Sequence, residues 1–150
     1  MGDVRFTTEV AASLDDVYGL HVDAARIPEW FPGVRGVEDV SGPLDRAGSR
    51  YMLRFGRLVR SRCEVVAADR PRLHSRTWDA RPLGSAGKAT MRFFEGRNGR
   101  TRIDFHAVYV LPFGPLGRFA GRLQRVRKRA ERDMRREIDS FKALVEREAS

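Results

Sequence analysis

The side chains able to bind metal or move protons are few and scattered. There are three histidines, His21, His74 and His106, and a single cysteine, Cys63. A zinc site gathers three or four His, Cys or acidic ligands, often at short regular spacings. No two of these histidines stand at such a spacing, and Cys63 has no second cysteine to pair with. No metal and no internal disulfide are therefore expected. The sequence contains no Gly-x-Ser-x-Gly elbow for a nucleophilic serine. Gly114-Pro115-Leu116-Gly117, followed by Gly121, lacks the Gly-Lys-Ser/Thr ending of a phosphate loop and reads as a helix entry close to a sheet. No nucleotide or other cofactor is expected. His74 would be a base in a cavity if its strand faces inward with Trp78; on the other facing it is a surface histidine. His106 shares a strand face with Arg102 and Asp104 and reads as solvated. Asp15-Asp16 is explained by a helix start rather than by acid–base work.

A second group of residues speaks for apolar contact. Trp30, Tyr51, Phe55, Phe93, Phe105, Tyr109 and Phe119, with Met91 and Leu123 beside them, fall on inward faces. They would form either a filled core or the wall of a cavity for an apolar ligand, with tyrosine hydroxyls as its few polar contacts. The charge balance bears on other partners. The chain has 29 basic and 20 acidic residues, a formal charge of +9, and its basic excess is almost all arginine. Such an excess suits a nucleic-acid or anionic membrane surface. These arginines are spread over strands, loops and helix without an aromatic-rich RNP motif, which fits a solvated positive face.

The elements that must position these residues follow from periodicity. One domain spans the 150 residues. Phe6 to Val10 reads as a first strand. Ser13 caps a short helix carrying Leu14, Val17, Tyr18 and His21 at helical spacing. Asp23 caps a second short helix that closes at Trp30-Phe31-Pro32-Gly33. Strands follow at Val34–Val40, Arg50–Phe55, Val59–Ala67 and Leu73–Ala80. In the third, Tyr51, Leu53 and Phe55 alternate with Arg50, Met52 and Arg54. In the fifth the facing is ambiguous, because His74 and Trp78 compete with Leu73, Ser75 and Thr77. Ala89, Met91 and Phe93 form the inner face of a sixth strand, and Ile103, Phe105, Ala107 and Tyr109 that of a seventh. Asn98-Gly99 between them suits a type I′ turn. Leu116, Phe119, Leu123, Val126, Ala130, Met134, Ile138, Phe141 and Val145 then recur at the α period, opposite a ridge of Arg118, Arg122, Arg125, Arg129, Arg132 and Arg136. The fold class is α+β: a seven-stranded antiparallel sheet wrapped around a long C-terminal helix, with two short helices after the first strand. No apolar run reaches the length of a membrane span. The start, Met1-Gly2-Asp3-Val4-Arg5, lacks signal-peptide character, so a cytoplasmic location is expected.

This order of elements is joined by three stretches: Asp23-Ala24-Ala25-Arg26-Ile27-Pro28-Glu29-Trp30-Phe31-Pro32-Gly33-Val34, Gly99-Arg100-Thr101-Arg102-Ile103 and Leu111-Pro112-Phe113-Gly114-Pro115-Leu116-Gly117. Together they resemble the START-like or SRPBCC superfamily, and within it the bacterial polyketide cyclase/dehydrase and lipid-transport group, whose parent architecture is the helix-grip fold. The resemblance implies a deep apolar cavity between sheet and long helix. Three functions follow as expectations. The first is binding of a lipid, quinone or polyketide-like molecule. The second is a cyclase or dehydratase acting on a poly-ketone, for which Tyr51, His74 and Tyr109 are the available acid–base groups. The third is association with a ribosome or anionic surface through the arginine ridge.

Overall fold

The computed structural model of the chain describes residues 1–111 and 120–150, the side chains of 120–123 excepted. Seven strands form one sheet: β1 (Gly2–Val10), β2 (Val34–Glu38), β3 (Arg50–Phe55), β4 (Val59–Asp69), β5 (Leu73–Asp79), β6 (Ala86–Glu95) and β7 (Thr101–Val110). Their order is β1-β7-β6-β5-β4-β3-β2, and every neighbouring pair is antiparallel. Between β1 and β2 lie α1 (Leu14–His21), a single turn at Ala24–Arg26, and α2 (Ile27–Trp30); α3 (Ala120–Ala149) follows the sheet. This is the expected helix-grip order.

Local chemistry explains most boundaries. Ser13 Oγ accepts the Asp16 N–H at 3.2 Å and starts α1. Asp23, expected to cap the second helix, makes no side-chain bond there. β2 stops at Glu38 rather than Val40, because Asp39 takes a positive φ of 54°, which an extended strand cannot contain. Asn98 and Gly99 both have positive φ, and the Arg100 N–H donates to the Arg97 carbonyl at 3.1 Å, as a type I′ turn requires. β1 begins four residues earlier than its apolar alternation suggested, since β7 pairs with it as far as Gly2.

The register decides which way β5 faces. His74 lies opposite Met91, Arg76 opposite Ala89 and Trp78 opposite Gly87, so His74, Arg76 and Trp78 share the inner face with the β6 core residues. The surface reading of His74 is therefore corrected: the residue is 2% exposed.

Helix α3 closes the inner face with its C-terminal half. Ile138, Phe141, Leu144 and Val145 are buried against the sheet and the short helices. Each such side chain contributes roughly 1.5–3 kcal/mol by leaving water. The expected apolar stripe does not stay covered along the whole helix. Val126 is 42% exposed, and Ala130 and Met134 are half-buried. Arg125, Arg129, Arg132 and Arg136 are exposed, as the ridge reading expects. Leu116, Arg118 and Phe119, and the side chains of Arg122 and Leu123, lie outside the described residues. Among the described residues no helix is long and apolar enough to cross a membrane.

Candidate functional site

The half-covered part of α3 stands over a cavity of about 490 Å³ that is open to solvent on one side. Its floor comes from five strands: Phe55 and Val59 at the β3–β4 hairpin, Arg76 and Trp78 on β5, Ala89 on β6 and Phe105 on β7. One end is closed by Phe31, Pro32 and Gly33 after α2, and the other side by Ala80, Gly84 and Ser85 between β5 and β6. Ala130, Met134 and Glu137 of α3 form the roof, with Asp133 and Arg136 at its edge. A wider depression of about 720 Å³ lies on the solvent side, bordered by Met52, Leu58, Arg60, Arg62, Arg81 and Leu83. It takes in mainly outward and loop residues, so the cavity between the sheet and α3 is the candidate site.

Two charged side chains break the apolar wall. Arg76 Nη2 donates to Glu137 Oε1 at 2.9 Å. The Arg76 guanidinium carbon lies 5.5 Å from the Phe31 ring centroid and 6.0 Å from that of Trp78, so two aromatic faces hold the cation. Trp78 is itself fixed by its Nε1–H, which donates to Ser85 Oγ at 3.0 Å. Burial pushes the Glu137 carboxyl above the ordinary carboxylate range, while Arg76 pulls it back. The Tyr51 phenol is also pushed up by burial, against the pull of Arg76.

Next to this wall is a buried pair of imidazoles. His21 Nε2 lies 3.2 Å from His74 Nδ1, and His74 Nε2 lies 2.9 Å from the Leu44 carbonyl oxygen. Burial lowers the His74 pKa to about 4 and holds that of His21 well below the ordinary value, with His74 and Arg76 adding to the effect on His21. Both rings are neutral near pH 7.

The structure brings together some of the residues singled out from the sequence. Phe55 and Phe105 border the cavity. Trp30, Tyr51, Met91 and Phe93 are buried in the packed core beside it: Trp30 against Phe141 at 5.0 Å, Phe93 against Tyr18 at 5.4 Å. Tyr109 is fully buried and donates its hydroxyl to Glu131 at 3.2 Å; burial, then Glu131, raises its pKa to about 12. Phe31, Arg76, Trp78 and Glu137 were not among the expected site residues. A signal for two of them was present. Glu137 interrupts the stripe Met134, Ile138, Phe141, and an acid on a buried stripe calls for a cation opposite. Arg76 lies two residues from both His74 and Trp78, on the same face of the strand, so it follows them inward. Among the described residues, no group of three or more His, Cys, Asp or Glu could hold a metal ion.

Comparison with known proteins agrees with this architecture. The family model described as "Polyketide cyclase / dehydrase and lipid transport" matches residues 1–146. A conserved protein from Geobacillus kaustophilus superposes with a TM-score of 0.77 at 11% identity, covering 99% of this chain and 98% of the other. The Zhui aromatase/cyclase from a Streptomyces species superposes with a TM-score of 0.73 at 21% identity, over 99% and 96%. A protein from Thermus thermophilus gives 0.73 at 19%, over 99% and 100%. At these identities the likeness is one of fold. No curated protein matches the chain.

Proposed function

The chain belongs to the polyketide cyclase/dehydrase and lipid transport family, and from that premise we propose that it binds an apolar, oxygen-bearing small molecule between its sheet and α3. The observation that carries this reading is a cavity of about 490 Å³ with a buried ion pair, Arg76–Glu137, set in an aromatic wall. A volume of this size suits a drug-sized or polycyclic ligand. Phe31, Phe55, Trp78 and Phe105 offer flat apolar faces to its body. Arg76 has donors left over after its bond to Glu137, and these suit a carbonyl, enolate or phenolate oxygen. Burial of the ligand's apolar surface at ~25 cal/mol per Å², less the cost of immobilising it, supports affinity on the order of micromolar.

The ion pair also favours a second reading, closure of a poly-ketone chain. In that reaction a base takes a proton from the carbon between two carbonyls, the enolate carbon attacks a further carbonyl of the same chain, and the alkoxide that forms takes the proton back from the base. Glu137 is the carboxylate on the cavity wall, and the guanidinium N–H groups of Arg76 beside it would stabilise the enolate oxygen. Tyr51, His74 and Tyr109 stand behind the wall, and both nitrogens of His74 are engaged.

Titration with a fluorescent polycyclic aromatic probe at low and high salt tests binding, alongside native mass spectrometry of freshly purified protein. Saturable binding that barely changes with salt is expected, with Trp78→Ala weakening it at least tenfold. No saturable binding, together with tight salt-sensitive binding of RNA, would move the function to the exposed arginines of α3. Turnover of a model poly-ketone, lost in Glu137→Gln, would separate cyclase from carrier.

A further inference from the structure

Among the described residues, the most exposed large apolar side chains after Met1 are Leu58 and Leu83, at 83% and 55%. Leu58 sits in the turn between β3 and β4, and Leu83 in the loop between β5 and β6. Arg62 of β4 lies opposite Asp79 of β5, so both connections leave the sheet at the same end. The two leucines border one depression of about 720 Å³, whose other apolar contacts are Met52, Val59, Ala80 and Pro82. An apolar residue exposed singly is ordinary; two at neighbouring loop tips, over a shared apolar hollow, mark a contact surface.

Cations stand beside both tips. Arg57 precedes Leu58, and Arg81 lies two residues before Leu83. Arg60, Arg62 and Arg81 border the depression with a single acid, Asp79, which Arg81 holds at 2.9 Å. Glu38 faces Arg60 at 3.8 Å. Arg57 and Arg62 are exposed and make no ion pair among the described residues. The surface is thus apolar at its tips and positive around them. A bilayer with anionic headgroups complements both parts. Leucines enter the boundary between headgroups and acyl chains, and guanidiniums meet the phosphates. RNA would engage the arginines and offer nothing to aliphatic tips, and among the described residues no aromatic ring borders the depression for a base to stack on. A second copy docked about a two-fold axis would set arginine against arginine.

We propose that the β3–β4 turn and the β5–β6 loop dock this protein on an anionic lipid bilayer through Leu58 and Leu83. Val59 and Ala80 border both the depression and the cavity under α3, so the cavity reaches the end of the sheet that would face the lipid. An apolar ligand leaving the bilayer there would cross less water on its way in. The docking rests on the surface residues alone; only this use of it rests on the cavity reading.

Co-sedimentation of the full chain with phosphatidylcholine vesicles, with and without phosphatidylglycerol, tests the docking. Binding to the anionic vesicles is expected, weaker at high salt and weaker still on phosphatidylcholine alone. The double variant Leu58→Asp, Leu83→Asp should lower the partition by roughly tenfold or more. Its melting temperature should match the wild type, since both side chains already stand in water. Leu58→Trp should show a blue shift in emission on anionic vesicles, larger than any in the wild type. Affinity of the cavity for the aromatic probe without vesicles should be unchanged in the double variant, because neither leucine lines the cavity, so the two readings fail separately. No vesicle binding by the wild type would overturn the proposal. A double variant that binds like the wild type would also overturn it and give the contact to the α3 arginines. RNA binding without vesicle binding, or a dimer in solution broken by the double variant, would overturn it in favour of those partners.

Discussion

Arg76 on the central strand and Glu137 on the long helix meet at 2.9 Å, with both side chains more than nine-tenths covered. This pair ties the middle of the sheet to α3 at the cavity wall. Removing one partner strands the other charge in a poor solvent. Arg76→Met should cost about 3–5 kcal/mol, and the double variant Arg76→Met, Glu137→Leu should recover most of it. Urea unfolding measures both. A double variant no more stable than Arg76→Met would show that the loss comes from disturbed packing rather than from the unpaired carboxylate.

Stability should fall on mild acidification. His74 titrates near 4 in the folded protein, below the ordinary 6.5 of an unfolded histidine, and His21 is lowered as well. Between those values the unfolded chain takes up protons that the native chain refuses. The histidine contribution is thus complete above pH 6.5 and is lost as pH falls toward 4, on the order of 3 kcal/mol for His74. Glu137 acts with the opposite sign, because its raised pKa lets the native state take a proton first. Denaturation midpoints from pH 7.5 to 4, with His74→Gln as the comparison, check the slope; the variant should show a shallower one.

The two faces of α3 should respond very differently to substitution. Phe141 is fully buried, and Phe141→Ala should cost about 3–5 kcal/mol. Arg125 is exposed on the ridge, and Arg125→Asp should change stability by no more than about 0.5 kcal/mol. Equal losses in thermal melts would mean that the helix faces are misplaced.

A glycine holds the cavity wall in shape. A Cβ at Gly87 would press on the Val108 carbonyl and come 2.7 Å from the Trp78 ring. Gly87→Ala should cost about 1–3 kcal/mol and tilt the indole that floors the cavity. Loss of probe affinity together with a shifted tryptophan emission spectrum is the expected result. Unchanged emission would place the strain on β7 alone.

Much of the fold could be read before any contact was known. The alternation of Tyr51, Leu53 and Phe55 with charged neighbours gave β3 its ends to the residue. The site was harder to read. Phe55 and Phe105 were identifiable as inward aromatics, but inward facing says nothing about which aromatics pack and which leave space. Trp30 and Phe93 look the same in sequence as Phe55, yet Phe141 and Tyr18 fill the room beside them.

Local patterns alone determined the elements, because strand alternation and helical period depend on residues a few positions apart. Ser13 caps α1 and Asn98-Gly99 turns β6 into β7 through bonds spanning three residues. Only the tertiary structure decided how β5 faces, since both of its faces mix polar and apolar side chains. The choice was made by Met91 and Ala89 across the ladder and by Glu137, 61 residues away. The same holds for His21 and His74, 53 residues apart: the Leu44 carbonyl can only accept from His74 Nε2, so His74 Nδ1 must accept from His21 Nε2. The cavity depends on where α3 comes to rest. Its C-terminal half packs down through Ile138, Phe141 and Val145, and Ala130 and Met134 are left standing over open space. A hydrophobic stripe records which side of a helix avoids water, and it carries no information about the distance to the surface opposite.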